Sequence, residues 1–169
     1  LFLKNNPEID IVGSNIEEFN LIPGDLKRFK INPETHDVLI KNIKFKSPCN
    51  HPSIMFRKSA VLKAGSYNGD LILFEDYSLF IRMWISGSKF YNIQEVLLNF
   101  RVGNGLDTIK RRSGWHYLNK ECNFLRFAKD IGAFSSYDIF KYKFIKFPIR
   151  LLPPKIVLFI YNSFLRKSI

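Results

Sequence analysis

A run of five residues, Ile9-Asp10-Ile11-Val12-Gly13, limits the folds open to this chain. It is short and β-branched, and Asn5-Asn6-Pro7 ends any helix before it. It reads as a buried strand, extended by residues 15–19. Residues 20–33 carry Pro, Gly and charges and read as a loop, and 34–44 as a short helix. Pro48 and Pro52 stiffen the connector that follows. A strand is expected over 53–56. A helix is expected over 59–64, with Ser59 as N-cap and Gly65 as stop. After a loop over 67–73 comes the clearest helix, 75–86, opening on Glu75-Asp76 and closing before Gly87. Strands over 89–93 and 96–102 lead into a polar, glycine-containing loop over 101–113. Helices are expected over 115–131 and 137–152. Pro153-Pro154 breaks the second, and a last helix runs to about Arg166. Strands mixed with helices, then helices alone, predict an α/β fold with a mixed sheet over 1–133 and a helical appendix over 134–169.

With 169 residues, nearly half of them apolar, the chain can bury a core as one domain. Cys49 and Cys122 match no metal spacing and read as reduced thiols of a cytosolic protein. His36, His51 and His116 are scattered, which argues against zinc. No apolar run reaches the roughly 18–20 residues that span a bilayer. The net charge of +11 calls for an anionic partner. Beyond Asp138 there is no acid, while Lys141, Lys143, Lys146, Arg150, Lys155, Arg166 and Lys167 are all basic. Positive charge among Phe, Tyr, Ile and Leu is the composition of a helix lying on an anionic membrane. The competing reading packs these apolar residues on protein. A nucleic-acid-binding module would also explain the charge, but no helix-turn-helix, zinc spacing or aromatic RNA-binding strand accompanies it, so nucleic acid is not expected.

Several segments then fall in one order. They are Asn6-Pro7-Glu8-Ile9-Asp10-Ile11-Val12-Gly13, Asn50-His51-Pro52-Ser53-Ile54-Met55-Phe56-Arg57-Lys58 and Ala64-Gly65-Ser66-Tyr67. Phe74-Glu75-Asp76-Tyr77-Ser78-Leu79-Phe80-Ile81-Arg82-Met83 and Leu98-Asn99-Phe100-Arg101-Val102 complete the set. This order resembles the family-2 glycosyltransferases of the GT-A fold, a Rossmann-like architecture, and among them bacterial enzymes of cell-surface polysaccharide synthesis. The resemblance implies an inverting hexosyl transfer from a nucleotide-sugar donor to a saccharide or lipid-linked acceptor.

It also implies roles. Asp76 would be the base that takes the proton of the acceptor hydroxyl, with Glu75 orienting it or binding the acceptor. The plain alternative for both is that first-turn acids complement a helix dipole. His51 and Ser53 would wall the acceptor pocket, or else be satisfied by backbone groups. Arg101, Arg111 and Arg112 would face the departing diphosphate, or else form a solvated basic loop. Arg82 is expected to be structural. A divalent metal, Mg or Mn, is implied for the intact enzyme, held by an Asp-x-Asp motif in a nucleotide-binding half. No Asp-x-Asp occurs in these 169 residues. Leu1-Phe2-Leu3-Lys4 looks like the tail of a helix already under way, so that half is expected upstream and the chain alone is expected to be inactive. The expected location is cytoplasmic, peripheral at the inner face of the cell membrane. A non-catalytic, sugar- or partner-binding relative is the remaining alternative.

Overall fold

A computed structural model describes residues 1–103, 105–164 and 167–168, with side chains up to residue 160. Its centre is β1 (Ile11–Phe19), buried along almost its whole length. β4 (Phe90–Arg101) runs parallel beside it, from Ile11 opposite Phe90 to Phe19 opposite Arg101. Because β4 covers one edge of β1 throughout, the other edge is shared. β3 (Met55–Phe56) pairs antiparallel with its start, and β2 (Arg28–Lys30) with its end. β5 (Lys167–Ser168) adds to β2. The mixed sheet and its helices are the α/β architecture that the alternation of apolar runs predicts.

Four local expectations change. The two strands around 89–102 are one, because two register shifts, between Ser14 and Asn15 and between Asn15 and Ile16, absorb Gln94 with Glu95 and then Leu97 without ending the ladder. Within the expected loop at 20–33, Arg28-Phe29-Lys30 becomes an edge strand. Within the loop at 101–113, α5 (Leu106–Arg111) forms behind Gly105, whose φ of +76° suits glycine. The N-cap of α3 (Lys58–Lys63) is Arg57 rather than Ser59. The Arg57 guanidinium donates to the carbonyls of Ile9 (2.9 Å), Asn6 (3.2 Å) and Leu3 (2.5 Å), which fixes α1 (Phe2–Asn5) and the entry to β1.

The core gathers α4 (Glu75–Ile85) and α6 (Gly114–Asp130) against the sheet. Leu79, Phe80, Ile81, Met83, Phe90 and Phe124 are sealed from solvent. Phe124 stacks on Phe74 and Tyr77, at 5.0 and 4.9 Å between ring centres. The Tyr77 hydroxyl donates to the carbonyl of Ile43 at 2.6 Å, tying α4 to the end of α2 (His36–Lys41). α7 (Ser136–Leu151) joins the same core through the buried Tyr142. The Tyr142 hydroxyl donates to the buried Glu121 carboxylate at 2.9 Å, and Arg150 reaches the same oxygen at 3.3 Å. Lys44 pairs with Asp138 at 2.7 Å, where Asp138 and Ser135 form the capping box of α7. α8 (Pro154–Phe164) follows the Pro153-Pro154 break, and Arg166, the expected helix end, lies outside the described residues. No helix among the described residues is long and apolar enough to cross a membrane.

Buried amides join the connector at 47–53 to the sheet. Asn92, fully buried on β4, donates from its amide to the carbonyls of Pro33 (3.0 Å) and Pro48 (2.9 Å). Asn50 donates to the carbonyl of Ser14 at 2.8 Å. Gly13 makes room for this lattice. A Cβ there would stand 2.5 Å from the Asn92 amide oxygen and 3.2 Å from Cys49 Cβ. Cys49 is itself inert, since burial pushes its thiol up to about 12.

Candidate functional site

α4 ends beside the starts of the parallel strands, since Ser86, Gly87 and Ser88 line a small cavity with Asp10. Its first turn is therefore a helix length, about 16 Å, from those starts. Glu75 and Asp76 occupy that first turn, and both are half-buried. The N-cap position belongs to Phe74, whose side chain makes no capping bond. Asp76 accepts from the backbone N–H of its neighbour Tyr77 at 2.7 Å through one carboxylate oxygen. It complements the helix start without being its cap.

Asp76 and Phe80 lie one turn apart on one face of α4. His51 packs on Phe80 with ring centres 6.2 Å apart. Its Nε2 lies 3.1 Å from the Tyr67 hydroxyl, and the two rings meet edge to face. Burial, and then the charge of Asp76, push the Tyr67 hydroxyl above the usual tyrosine range. Asp76, Tyr67 and His51 thus form one group beside the opening of α4. Tyr117 borders it from α6. Burial raises its hydroxyl first, Arg150 and Arg112 oppose that, and Glu121 and Asp76 add to it. The Arg150 guanidinium lies 4.7 Å from the Tyr117 ring centre.

The group is held by backbone-directed bonds. Arg82 donates to the carbonyls of Ala64 (2.6 Å) and Ser66, which clamps the turn before Tyr67 and meets the structural role expected of it. Ser66 has a φ of +56°, uncommon for a residue with a side chain. The clamp therefore holds a turn the chain would not favour alone.

The other residues singled out from sequence lie in different settings. The Ser53 hydroxyl is engaged with the backbone. It accepts from the Ser14 N–H (3.1 Å) and lies 2.9 Å from the Asn50 carbonyl, where it donates, so it fastens the His51 turn to β1. Arg101 stands at the carboxyl end of β4, its guanidinium 5.2 Å from the Phe19 ring centre and 3.4 Å from the Leu21 carbonyl. Both contacts lie outside the Asp76 group. Arg111 is exposed at the end of α5. Arg112 is the C-cap, near enough to Tyr117 to favour its ionised form. Among the described residues, no three side chains of the types that ligate metals come together. Glu75 and Asp76 supply two adjacent carboxylates, a donor set that a divalent cation would complete only with further ligands such as substrate phosphates. Cavities of about 200 Å³, between Asn32 and Pro48, and about 180 Å³, beside Asp10, lie away from this group. The group opens on the surface instead.

Sequence reasoning missed Tyr67 and Tyr117. Tyr67 had a signal, since it ends the quoted segment Ala64-Gly65-Ser66-Tyr67. Tyr117 had none, because α6 brings it to the start of α4 through long-range packing, its ring centre 5.5 Å from that of Phe74.

No protein-family model matches the chain, and no solved structure matches it. Curated relatives do. The chain is 33% identical over 171 aligned residues to the UDP-Gal:alpha-D-GlcNAc-diphosphoundecaprenol beta-1,3-galactosyltransferase of Escherichia coli, covering 98% of this chain and 59% of that protein. It is 29% identical over 162 residues to the amylovoran biosynthesis glycosyltransferase AmsE of Erwinia amylovora, at 96% and 59% coverage. It is 30% identical over 167 residues to an uncharacterized glycosyltransferase of Haemophilus influenzae, at 98% and 60% coverage. The chain spans about three fifths of the length of these relatives. Along almost its whole length, this chain is a relative of proteins named as glycosyltransferases.

Proposed function

We propose that this chain is the acceptor-side part of an inverting hexosyltransferase with a GT-A-type fold, drawing on a nucleotide-sugar donor. The observation that carries the reading is the half-buried Asp76 carboxylate at the opening of α4, flanked by Tyr67, His51 and Tyr117. One carboxylate oxygen is taken by a backbone N–H, which fixes the group. The other is available to an incoming hydroxyl. Inversion asks for little more on this side. The base removes the acceptor proton as the oxygen attacks the anomeric carbon, and the aromatic walls hold the acceptor ring in place. Tyr67 and His51 supply hydrogen-bonding groups for neighbouring hydroxyls, and Glu75 supplies a second carboxylate. Arg112 contributes positive charge near Tyr117. Arg101 and Arg111 act, in this reading, when a donor diphosphate is bound.

A divalent metal, when bound in the intact enzyme, neutralises the diphosphate. The residues gathered here do not hold it by themselves. The acceptor proposed is a saccharide carried on a lipid diphosphate, by analogy with the substrate for which the Escherichia coli relative is named. The test is product analysis. The intact protein is incubated with UDP-hexoses and a polyprenyl-diphosphate-linked amino sugar, and the anomeric configuration of the product is read by NMR. A β-linked product from an α-configured donor supports the reading. An α-linked product, or none with any nucleotide sugar, removes it.

A further inference from the structure

α7 has two apolar faces, and the core uses one. Tyr142 and Ile139 pack inward. On the opposite side Tyr137, Phe140, Phe144, Pro148 and Leu151 recur at spacings of three and four, which aligns them in one stripe about 80° wide. The aromatic members stand out in water. Tyr137 is 72% exposed, Phe140 66% and Phe144 74%. The Phe140 and Phe144 rings stack on each other at 6.2 Å. Aromatic rings at this exposure and alignment mark a contact surface.

The charge around the stripe selects its partner. Lys141 flanks it on one side and Lys143 on the other, their ammonium groups 5.2 and 5.7 Å from the Phe45 and Phe147 ring centres. Lys155 is exposed at the start of α8. From residue 137 onward the single acid is Asp138, which is occupied by Lys44 and by the α7 capping box, so no free carboxylate of α7 itself offsets these cations. A second protein would match so uniform a charge only with a dedicated acidic face. An anionic bilayer matches it with any patch of headgroups, and it accepts aromatic rings at the headgroup–acyl boundary.

We propose that the Tyr137–Phe140–Phe144–Leu151 stripe of α7 docks on the surface of an anionic membrane, rings inserted and Lys141 and Lys143 among the headgroups. This placement does not depend on the role of Asp76. The helix lies in the interface plane and does not cross it.

The test is co-sedimentation of the full chain with vesicles of phosphatidylcholine containing 30% phosphatidylglycerol, beside vesicles of phosphatidylcholine alone. Binding is expected to the first at low salt, to fall about tenfold or more in 0.5 M NaCl, and to be weak to the second. Phe140→Ser with Phe144→Ser lowers the partition coefficient at least tenfold while the thermal melt stays within a few degrees, because both rings are already in water. Lys141→Gln with Lys143→Gln lowers it on anionic vesicles by about tenfold or more. Absence of binding at low salt overturns the proposal, as does an unchanged partition coefficient in the double Phe variant. Sedimentation velocity covers the other occupant. A wild-type dimer that the Phe pair converts to monomer would give the stripe to a second copy and overturn the membrane assignment.

Discussion

Gly13→Ala is expected to damage this fold out of proportion to one added methyl. The new Cβ would stand 2.5 Å from the Asn92 amide oxygen, far inside van der Waals contact, and 3.2 Å from Cys49 Cβ. β1 cannot retreat, because β4 lies along one edge and β2 and β3 along the other. The Asn92 amide must move, and it holds the carbonyls of Pro33 and Pro48 in a sealed setting. Losing two such bonds costs about 1 kcal/mol each or more, and residual overpacking adds about 1 kcal/mol. The total of about 2–4 kcal/mol lowers Tm by about 5–15 °C in a chain of this size. Thermal melts followed by circular dichroism read this directly, and a double-mutant cycle tests the cause. In an Asn92→Ala background the 2.5 Å clash is gone and only the milder Cys49 contact remains, so Gly13→Ala should cost about 1 kcal/mol or less, and the pair should fall short of additive by about 1–3 kcal/mol. A Gly13→Ala protein melting within about 2 °C of wild type would refute the steric argument. Additivity of the two changes would refute the assignment to Asn92.

Three further outcomes are expected. Arg82→Lys removes the fork that clamps Ala64 and Ser66, which should cost about 1–3 kcal/mol and shift the His51 ring resonances in NMR as Tyr67 loosens. Tyr142→Phe withdraws the donor to the buried Glu121 carboxylate and should cost about 1–3 kcal/mol in denaturant unfolding. The Lys44 ammonium, backed by the Ser135 groups, holds the Asp138 carboxyl at about 2, against 3.8 for a free one. A lowered folded-state value contributes stability above about pH 4 that is lost as pH falls through 2. Solvent screening of this surface pair limits it to about 1 kcal/mol, and Asp138→Asn should remove that acid-sensitive part.

The amino-acid pattern makes β1 and α4 legible because each carries its own punctuation. Pro7 precedes the β-branched run, and acids open α4 while Gly87 closes it at a φ of +86°. β2 is illegible because Arg28-Phe29-Lys30 owes its extended form to β1, not to its own propensity. α5 is hidden because its six residues follow glycines that read locally as a loop. Ser59 resembles a cap in isolation, but the Arg57 guanidinium is committed to the entry of β1 and starts the helix two residues earlier. At the site, Glu75 and Asp76 stand out by position. Ser53 has a scaffold role that only the Ser14 contact reveals, and Tyr67 joins the group through the Arg82 clamp. Contacts between distant segments leave no local trace.

The reading of Asp76 as a base meets its most direct test in Asp76→Asn, made in the intact protein and assayed for single-turnover sugar transfer. The asparagine keeps an oxygen to accept from the Tyr77 N–H, so the fold should lose at most about 1 kcal/mol from the helix dipole. Without a group that can take the acceptor proton, the transfer rate should fall about 10²–10⁴-fold while donor binding holds. A rate within a few-fold of wild type would contradict the account and leave Asp76 as a helix-start acid alone.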